Sequence, residues 1–380
     1  MVTYQGFNRQ AFERSSATTL ANYVREVDKE MLRGYMFLAL LEEAGRVTYN
    51  HSGEGIVWSV QYRTHDIEGN TGQTPRNYAR RNLWKQAATE WRGYQATDMM
   101  YEKEFQTNKG PEGIVKVFDG MIDRLMESMK QGLSRQFFND GSASGNEDLW
   151  EGLETLFGAT QTINISTGAA RTANQADKCA YPNTTYAQIQ TTLGQYGGDN
   201  EPGEIWPNGV ADPQYDFWTP VIVLYNSTAF SGASQTFLAQ GEEAMRFAML
   251  SMERNGQLAE QMTQWWLGRN LYQDHLQRQD NRQEIQVQSN YTVRALGFKS
   301  TQFDGVEVAW EPSTPSNRGY GWSWRNVELQ CLESQFLKPE GPEYDMDTQA
   351  YKAVVSTLSN FKYQSPRKFA KLTKHDDLSA

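Results

Sequence analysis

PEGIVKVFDGMIDRLMESMKQGLSRQFF, residues 111–138, sets Ile114, Phe118, Met121, Ile122, Leu125, Met129, Leu133 and Phe137 at steps of three and four. That spacing predicts one apolar stripe along an α-helix. Pro111 and Glu112 suit a first turn, Arg135 suits the last, and Asn139-Asp140-Gly141 supplies the stop. At 1.5 Å per residue the helix runs roughly 40 Å, about the width of a domain, so it has to lie across a surface. Gly113 and Gly120 stand seven residues apart on nearly the same helix face. Each costs about 1 kcal/mol relative to alanine, and either a close backbone approach or a tolerated surface position accounts for them.

Upstream, Met1 to Ala17 is polar with scattered Tyr4, Phe7 and Phe12, an arm that needs something to lie on. Thr18 to Glu43 reads as a helix with Leu20, Val24, Val27, Met31 and Leu38 on one side, stopped by Gly45. From Gly55 the period becomes two, with Ile56, Trp58, Val60 and Tyr62 alternating with Val57, Ser59, Gln61 and Arg63. HDIEGNTGQTPRN, residues 65–77, is turn chemistry, and Trp84, Ala87, Thr89, Trp91 and Tyr94 mark a return arm. His51 to Met100 therefore reads as a long two-stranded ribbon with a wide polar tip. Such a ribbon buries too little surface to be stable alone, so it must lean on another chain or fold back on its own.

Downstream, Asp148 to Phe157 predicts a short helix, and 158–219 shifts to Thr, Asn, Gln, Gly and Pro, with Tyr186 to Tyr196 as its helix. This loop-rich stretch reads as a surface elaboration. Pro220 to Tyr225, PVIVLY, suits a strand covered on both faces. Ala233 to Glu253 predicts a helix whose Met245, Met249 and Met252 belong to the core, and Gly256 to Gln277 another containing Trp265-Trp266. Ile285 to Ala295 restores the strand period, Asp304-Gly305 punctuates a hairpin, and Val327, Leu329 and Cys331 make a strand. A helix at Thr348 to Leu358 and the basic segment PRKFAKLTKH, residues 366–375, close the chain.

A length of 380 residues allows two or three lobes, and a formal charge of −10 argues against a general nucleic-acid binder. Two cysteines, Cys179 and Cys331, make no disulfide framework and read as buried hydrophobes in a reducing compartment. VTYQGFNRQAFERSS, residues 2–16, has no apolar run, which predicts no secretory signal. No stretch has the length and apolarity of a membrane span.

Four histidines, His51, His65, His275 and His375, lack partners at metal-ligand spacing, and no phosphate loop, dinucleotide fingerprint or nucleophile elbow is present. No catalytic, cofactor-binding or metal residue is expected. The pairs Glu201 with Glu204 and Glu343 with Asp345 fit glycoside hydrolysis in a chain with eleven tryptophans, but acids in loops read first as solvated charge. Arg76, Arg80, Arg81 and Lys85, with Arg63 on the opposite arm, are the candidate subunit-contact residues; a grip on nucleic-acid phosphates and plain solvated charge are the alternatives.

The order of arm, helix, ribbon, long helix, loop-rich lobe, buried strand, helices and paired strands resembles the major capsid protein of tailed double-stranded DNA phages. This is the Hong Kong 97-type α+β fold, shared with encapsulin shells. Gly297-Phe298, Phe303-Asp304-Gly305-Val306-Glu307-Val308, Asn326-Val327-Glu328-Leu329 and Pro366 to Leu372 add to the likeness. The resemblance implies an N-terminal arm and helix (1–50), an E-loop (51–100) and a peripheral domain (101–219) with a spine helix (111–138). An axial domain (220–280) and returning strands with a C-terminal segment (281–380) complete it. It further implies a non-enzymatic subunit forming pentamers and hexamers of an icosahedral head. The expected partners are copies of itself, a scaffolding protein, a portal, a decoration protein and enclosed double-stranded DNA, with no membrane. Assembly is expected in the host cytoplasm. Val47 to Trp84 contains no lysine, so the E-loop cross-link of some members is not expected. An encapsulin-like compartment and a carbohydrate-active protein are the alternatives.

Overall fold

A computed structural model describes residues 36–61, 72, 78, 83–103, 111–158, 160–163, 170–171, 174–191, 217–253, 261–282 and 300–378. The arm, most of the first predicted helix, the ribbon tip and the strand at 285–295 lie outside these residues. Met36–Glu43 (α1) ends at Gly45, whose φ of +63° lets the N–H groups of Gly45 and Arg46 bond the carbonyls of Glu42 and Leu41. Val47–His51 (β1), Gly55–Gln61 (β2), Trp84–Glu90 (β3) and Arg92–Tyr101 (β4) follow. Pro111–Gln136 (α2) is the long helix, 26 residues, and from Met121 onward its stripe is buried as spaced: Met121, Ile122, Leu125, Met129 and Leu133, with Met126 added. A β-carbon on Gly120 would meet nothing within 4 Å among the described residues, so none of their backbone approaches there.

The helix predicted from Asp148 shrinks to Leu153–Phe157 (α3). The N–H groups of Trp150 and Glu151 bond instead to the Tyr94 hydroxyl (2.6 Å) and the Asn360 side-chain carbonyl (3.1 Å), which removes them from a helical ladder. Thr160–Ile163 (β5), Ala170–Arg171 (β6), Cys179–Pro182 (β7), Thr185–Tyr186 (β8) and Ile189–Gln190 (β9) replace the featureless lobe. The helix predicted from Tyr186 is a hairpin turn in this part, with Ala187 and Gln188 at φ +51° and +64°. Tyr186 and Ile189 are buried by it, and that tertiary contact overrides local helix preference.

Val221–Leu224 (β10) is a fully buried strand, as read. Phe237–Met252 (α4) carries Met245 and Met252 into the core. The Trp265-Trp266 pair lies on a strand, Gln264–Leu267 (β11), and the helix begins only afterwards, Arg269–Arg282 (α5). Ser300–Phe303 (β12) and Val306–Trp310 (β13) form the hairpin, with Asp304 and Gly305 at φ +47° and +83°, the backbone that an Asp-Gly turn supplies. Gly319–Trp322 (β14), Val327–Leu332 (β15) and Lys338–Asp345 (β16) follow. The last predicted helix is a 14-residue strand, Ala350–Tyr363 (β17), in which buried Ala353, Val355 and Thr357 alternate with the more exposed Lys352, Val354, Ser356 and Leu358. It finds ladder partners on both edges, which outweighs the helical spacing of its apolar residues. Phe369–Thr373 (β18) is wholly buried, so the basic end is not a solvated tail.

Two sheets organise these elements. Among the described residues the larger has nine strands in the order β12-β13-β11-β14-β18-β10-β7-β5-β6, and the smaller runs β1-β15-β17-β16 with β4 on the other edge of β17. Within the large sheet, Val221 and Val223 face one core with Met245, Ala248 and Leu271, while Ile222 and Leu224 face a second core with α1, α2 and the small sheet. Trp265 and Trp266 divide between the two cores in the same way. A strand covered on both faces reads as unbroken apolar sequence, which is why PVIVLY was legible and the tryptophan pair misled. The loop-rich stretch is likewise corrected in part: Ala180, Tyr181 and Trp218 are core residues, and β7 extends the large sheet.

Where α1, α2 and β13 meet, the buried Glu311 carboxyl accepts a bond from the Ser134 hydroxyl at 2.7 Å. Burial raises its pKa to about 7, with the bonds from Ser134 and the Phe37 N–H pulling the other way. An acid whose folded pKa lies above its unfolded value of 4.5 gives stability that is complete below pH 4.5 and declines as pH rises towards 7. Glu311→Gln is therefore expected to flatten the fall in stability across that window. Chemical denaturation at a series of pH values measures it, and an unchanged slope rejects the assignment.

Candidate functional site

The ribbon β2–β3 is joined to the small sheet at two points, residues 52–54 between β1 and β2, and Trp91 between β3 and β4. Its register pairs Ile56 with Thr89, Trp58 with Ala87 and Val60 with Lys85 on one face. Ile56, Ala87 and Thr89 are buried, and the Trp58 ring lies 6.2 Å from that of Tyr186. The Ala88 N–H also bonds the Ala187 carbonyl at 3.2 Å. The root of the ribbon thus folds back on its own body, the second of the two supports open to it, and β4 leaves the ribbon to pair along β17. Among the described residues the other face is exposed: Val57 is 51% and Trp84 55% exposed, beside exposed Ser59, Gln61 and Gln86.

A polar clamp holds this root. The Arg92 guanidinium donates to the carbonyls of Gly141 (2.7 Å), Asn146 (3.3 Å) and Leu149 (2.5 Å) and to the Glu151 carboxylate (3.2 Å). Asn360 on β17 donates to the Glu90 carbonyl at 2.8 Å while its own carbonyl accepts from Glu151 N–H. Trp91 Nε1 donates to the Gly53 carbonyl at 2.9 Å, tying the two crossings together. Burial pushes the Glu151 carboxyl up to about 7 against the pull of Arg92, with Glu90 and Asp140 adding to the rise. The planar fork reaches several acceptors at once, which a single ammonium does not. Arg92→Lys is expected to cost about 1–3 kcal/mol by stranding buried carbonyls. Faster hydrogen exchange at residues 141–151 is the readout; protection equal to the wild type would show the fork to be dispensable.

A second cluster joins α3 to the large sheet. The Glu154 carboxylate accepts bonds from Lys371 (2.6 Å), Arg318 (3.1 Å) and the Tyr320 hydroxyl. Burial alone would raise its pKa, and the Lys371 and Arg318 charges outweigh that and hold it below the usual value.

Of the candidate contact residues, Lys85 sits on β3 opposite Val60, on the ribbon's inner register. Arg63, Arg76, Arg80 and Arg81 lie outside the described residues, as do Glu201 and Glu204. Glu343 and Asp345 both fall on β16, where the Lys352 ammonium 2.5 Å away holds the Asp345 carboxyl down at about 2. That is an exposed ion pair rather than an acid and base poised for catalysis. Arg92, Glu151, Glu154 and Asn360 were not legible as a group, because each meets its partners across long sequence separations. Lys371, between Ala370 and Leu372 in a strand-like run, was the one signal of a charge that had to be paired inside.

Two sheets, a long helix packed along the small one with its end against the large one, and a ribbon carried on the small sheet define a mixed α+β capsid-type architecture. The chain has the fold of a phage capsid protein. It is similar to a chain of the cyanophage A-1(L) capsid asymmetric unit with a TM-score of 0.54 and 11% identity, over 86% of this chain and 89% of that one. A native GTA particle capsid (TM-score 0.48, 8% identity, 88% and 89% covered) and Mycobacterium phage Patience (0.43, 12%, 98% and 90%) are also similar. No family model and no curated protein matches the sequence.

Proposed function

We propose that this chain is the major structural subunit of a phage head, assembling as pentamers and hexamers into an icosahedral shell around double-stranded DNA. The observation that carries this is the ribbon, anchored on its own body at the root and bare on its outer face. In this reading the ribbon within 51–100 is the E-loop, α2 within 111–138 the spine helix, 101–219 the peripheral domain and 220–280 the axial domain. An arm and helix (1–50) and the segment 281–380 complete the subunit. Many modest contacts between identical subunits close a shell without any single strong one. The bare face with Val57 and Trp84 supplies one such contact. The acidic balance lets the subunit enclose DNA without adhering to it.

A scaffolding protein, a portal and a decoration protein are the further partners, and the virion capsid is the place of the protein. The chain acts as structure and carries no catalytic role. Five of its tryptophans, Trp150, Trp218, Trp265, Trp266 and Trp322, are fully buried, which speaks against a set of sugar platforms. Size-exclusion chromatography and negative-stain microscopy of the expressed chain, alone and with a scaffolding protein, test the proposal. Capsomers or shells are expected; a persistent monomer under both conditions overturns it.

A further inference from the structure

In the small sheet β16 and β4 flank β17 on its two sides, and they are built differently. β16 carries Pro339 and Pro342, its register on β17 shifts between Glu340 and Glu343, and Lys338, Glu340, Glu343 and Asp345 load it with charge. Proline, bulges and charge are what keep an edge strand from pairing with another chain. β4 pairs with β17 without a break from Arg92 to Tyr101, and among the described residues it pairs with no other strand. Two hydrogen bonds tell which of its backbone groups face outward. The Glu102 N–H donates to the Gln349 carbonyl at 3.0 Å, one step beyond the Tyr101 and Ala350 pair, and in an antiparallel ladder bonded and unbonded pairs alternate. Gly93, Gln95, Thr97, Met99 and Tyr101 therefore sit in unbonded pairs and direct their N–H and C=O groups away from β17. The Met99 N–H agrees, since it donates to the Asp98 carboxylate at 2.9 Å and not to the ladder. These same residues are exposed, Met99 by 49% and Tyr101 by 48%, and none of them is charged or a proline. At about 3.4 Å per residue the row runs roughly 27 Å.

This edge is complementary to itself. Turned about a two-fold axis at Thr97, it sets Thr97 against the partner's Thr97, Gln95 against the partner's Met99 and Gly93 against the partner's Tyr101. That register brings every outward-facing residue of the row opposite another, and each such pair exchanges two backbone hydrogen bonds. The Met99 N–H exchanges its Asp98 acceptor for a carbonyl. A β-carbon on Gly93 would lie 2.9 Å from Leu358 Cδ2, so a tyrosine ring crossing from the second copy meets an apolar floor there. On the inner face the same register places Asp98 opposite the partner's Ala96, so no like charges are opposed.

We infer that β4 pairs antiparallel with β4 of a second copy about a two-fold axis at Thr97, joining two small sheets into one. The inference rests on the shell-subunit reading and specifies one of its contacts, an isologous one. Thr97 is exposed, so Thr97→Lys and Thr97→Glu are tolerated by the single chain, and Thr97→Gln is the uncharged match. Association of the full-length chain is followed by light scattering against protein concentration, under the condition in which the wild type assembles. Gln is expected to associate as the wild type does. With Lys alone or Glu alone the concentration needed rises about tenfold, because like charges then meet across the axis, and the melting temperature is unchanged. An equimolar mixture of the Lys and Glu chains is expected to associate as the wild type does, since each axis can then hold one of each sign. Lys and Glu chains that associate normally, equal losses with Gln, or a mixture as impaired as either chain alone each overturn the inference while leaving the shell reading intact. A wild-type chain that never associates overturns both.

Discussion

Lys371→Met is expected to lower stability by about 3–5 kcal/mol, the cost of breaking a buried ion pair from one side. Lys371 is 6% exposed and its ammonium sits 2.6 Å from a Glu154 carboxylate that burial would otherwise neutralise. Methionine preserves the stem's volume, so the loss reports charge rather than packing. The double variant Glu154→Gln with Lys371→Met removes both buried charges while Arg318, 27% exposed at its side chain, turns to solvent. It is expected to regain most of the loss, because a neutral pair in place of a buried ion pair is often without net cost. Urea denaturation of the wild type, both single variants and the double closes the cycle. Additive losses would mean that the two side chains act independently. The same cluster sets an acid limit: Glu154 has a lowered folded pKa, so its contribution is present above the unfolded value of 4.5 and disappears as pH falls through the folded one. Glu154→Gln should lack that part of the acid sensitivity.

This cluster also marks where sequence reading stops. The long helix, the Asp304-Gly305 hairpin and the PVIVLY strand each state their structure locally, through period or turn chemistry. Residues 350–363 do not: Tyr351, Val354, Val355 and Leu358 satisfy a helical spacing, while Tyr351, Ala353, Val355 and Thr357 satisfy a strand's. Only the ladders to β4, β15 and β16 decide between them. Trp265-Trp266 misleads for a related reason, since two adjacent large side chains are at home either in a buried helix or in a strand with a core on each side. The pairing of the two arms was legible, but the expected span of His51 to Met100 was too long, since 92–101 leaves the ribbon for β17. The ribbon's own-body support came from Tyr186 and Ala187, in a stretch whose composition reads as loop, so the support could not be seen. The polar clamp is less legible still. Arg92 is an ordinary strand-end arginine until Gly141, Asn146, Leu149 and Glu151 are brought to it, and that depends on how the end of α2 packs.

Packing at the end of α2 is where the second large effect is expected. Phe137 is fully buried, stacked on Phe37 with ring centres 3.7 Å apart, and edge-on to Phe361 at 5.3 Å and Trp322 at 5.6 Å. These neighbours come from α1, the small sheet and the large sheet, so one ring joins the long helix to all three. Phe137→Ala removes the contacts and leaves a cavity lined by stiff aromatic rings that cannot collapse into it, which places the loss at about 3–5 kcal/mol. Phe137→Leu keeps most of the volume and should lose about 1 kcal/mol. Trp322 and Trp266 border the cavity, so tryptophan fluorescence during urea denaturation reads the event from inside the affected region. Native-state proteolysis then asks whether the helix end alone loosens or the two sheets separate with it. If Phe137 is the common anchor, cleavage near Asn139 and in the α1 to β1 turn should rise together. Equal stability of the alanine and leucine variants would show the ring to be filler and assign the joining of the sheets to Trp266 and Phe361.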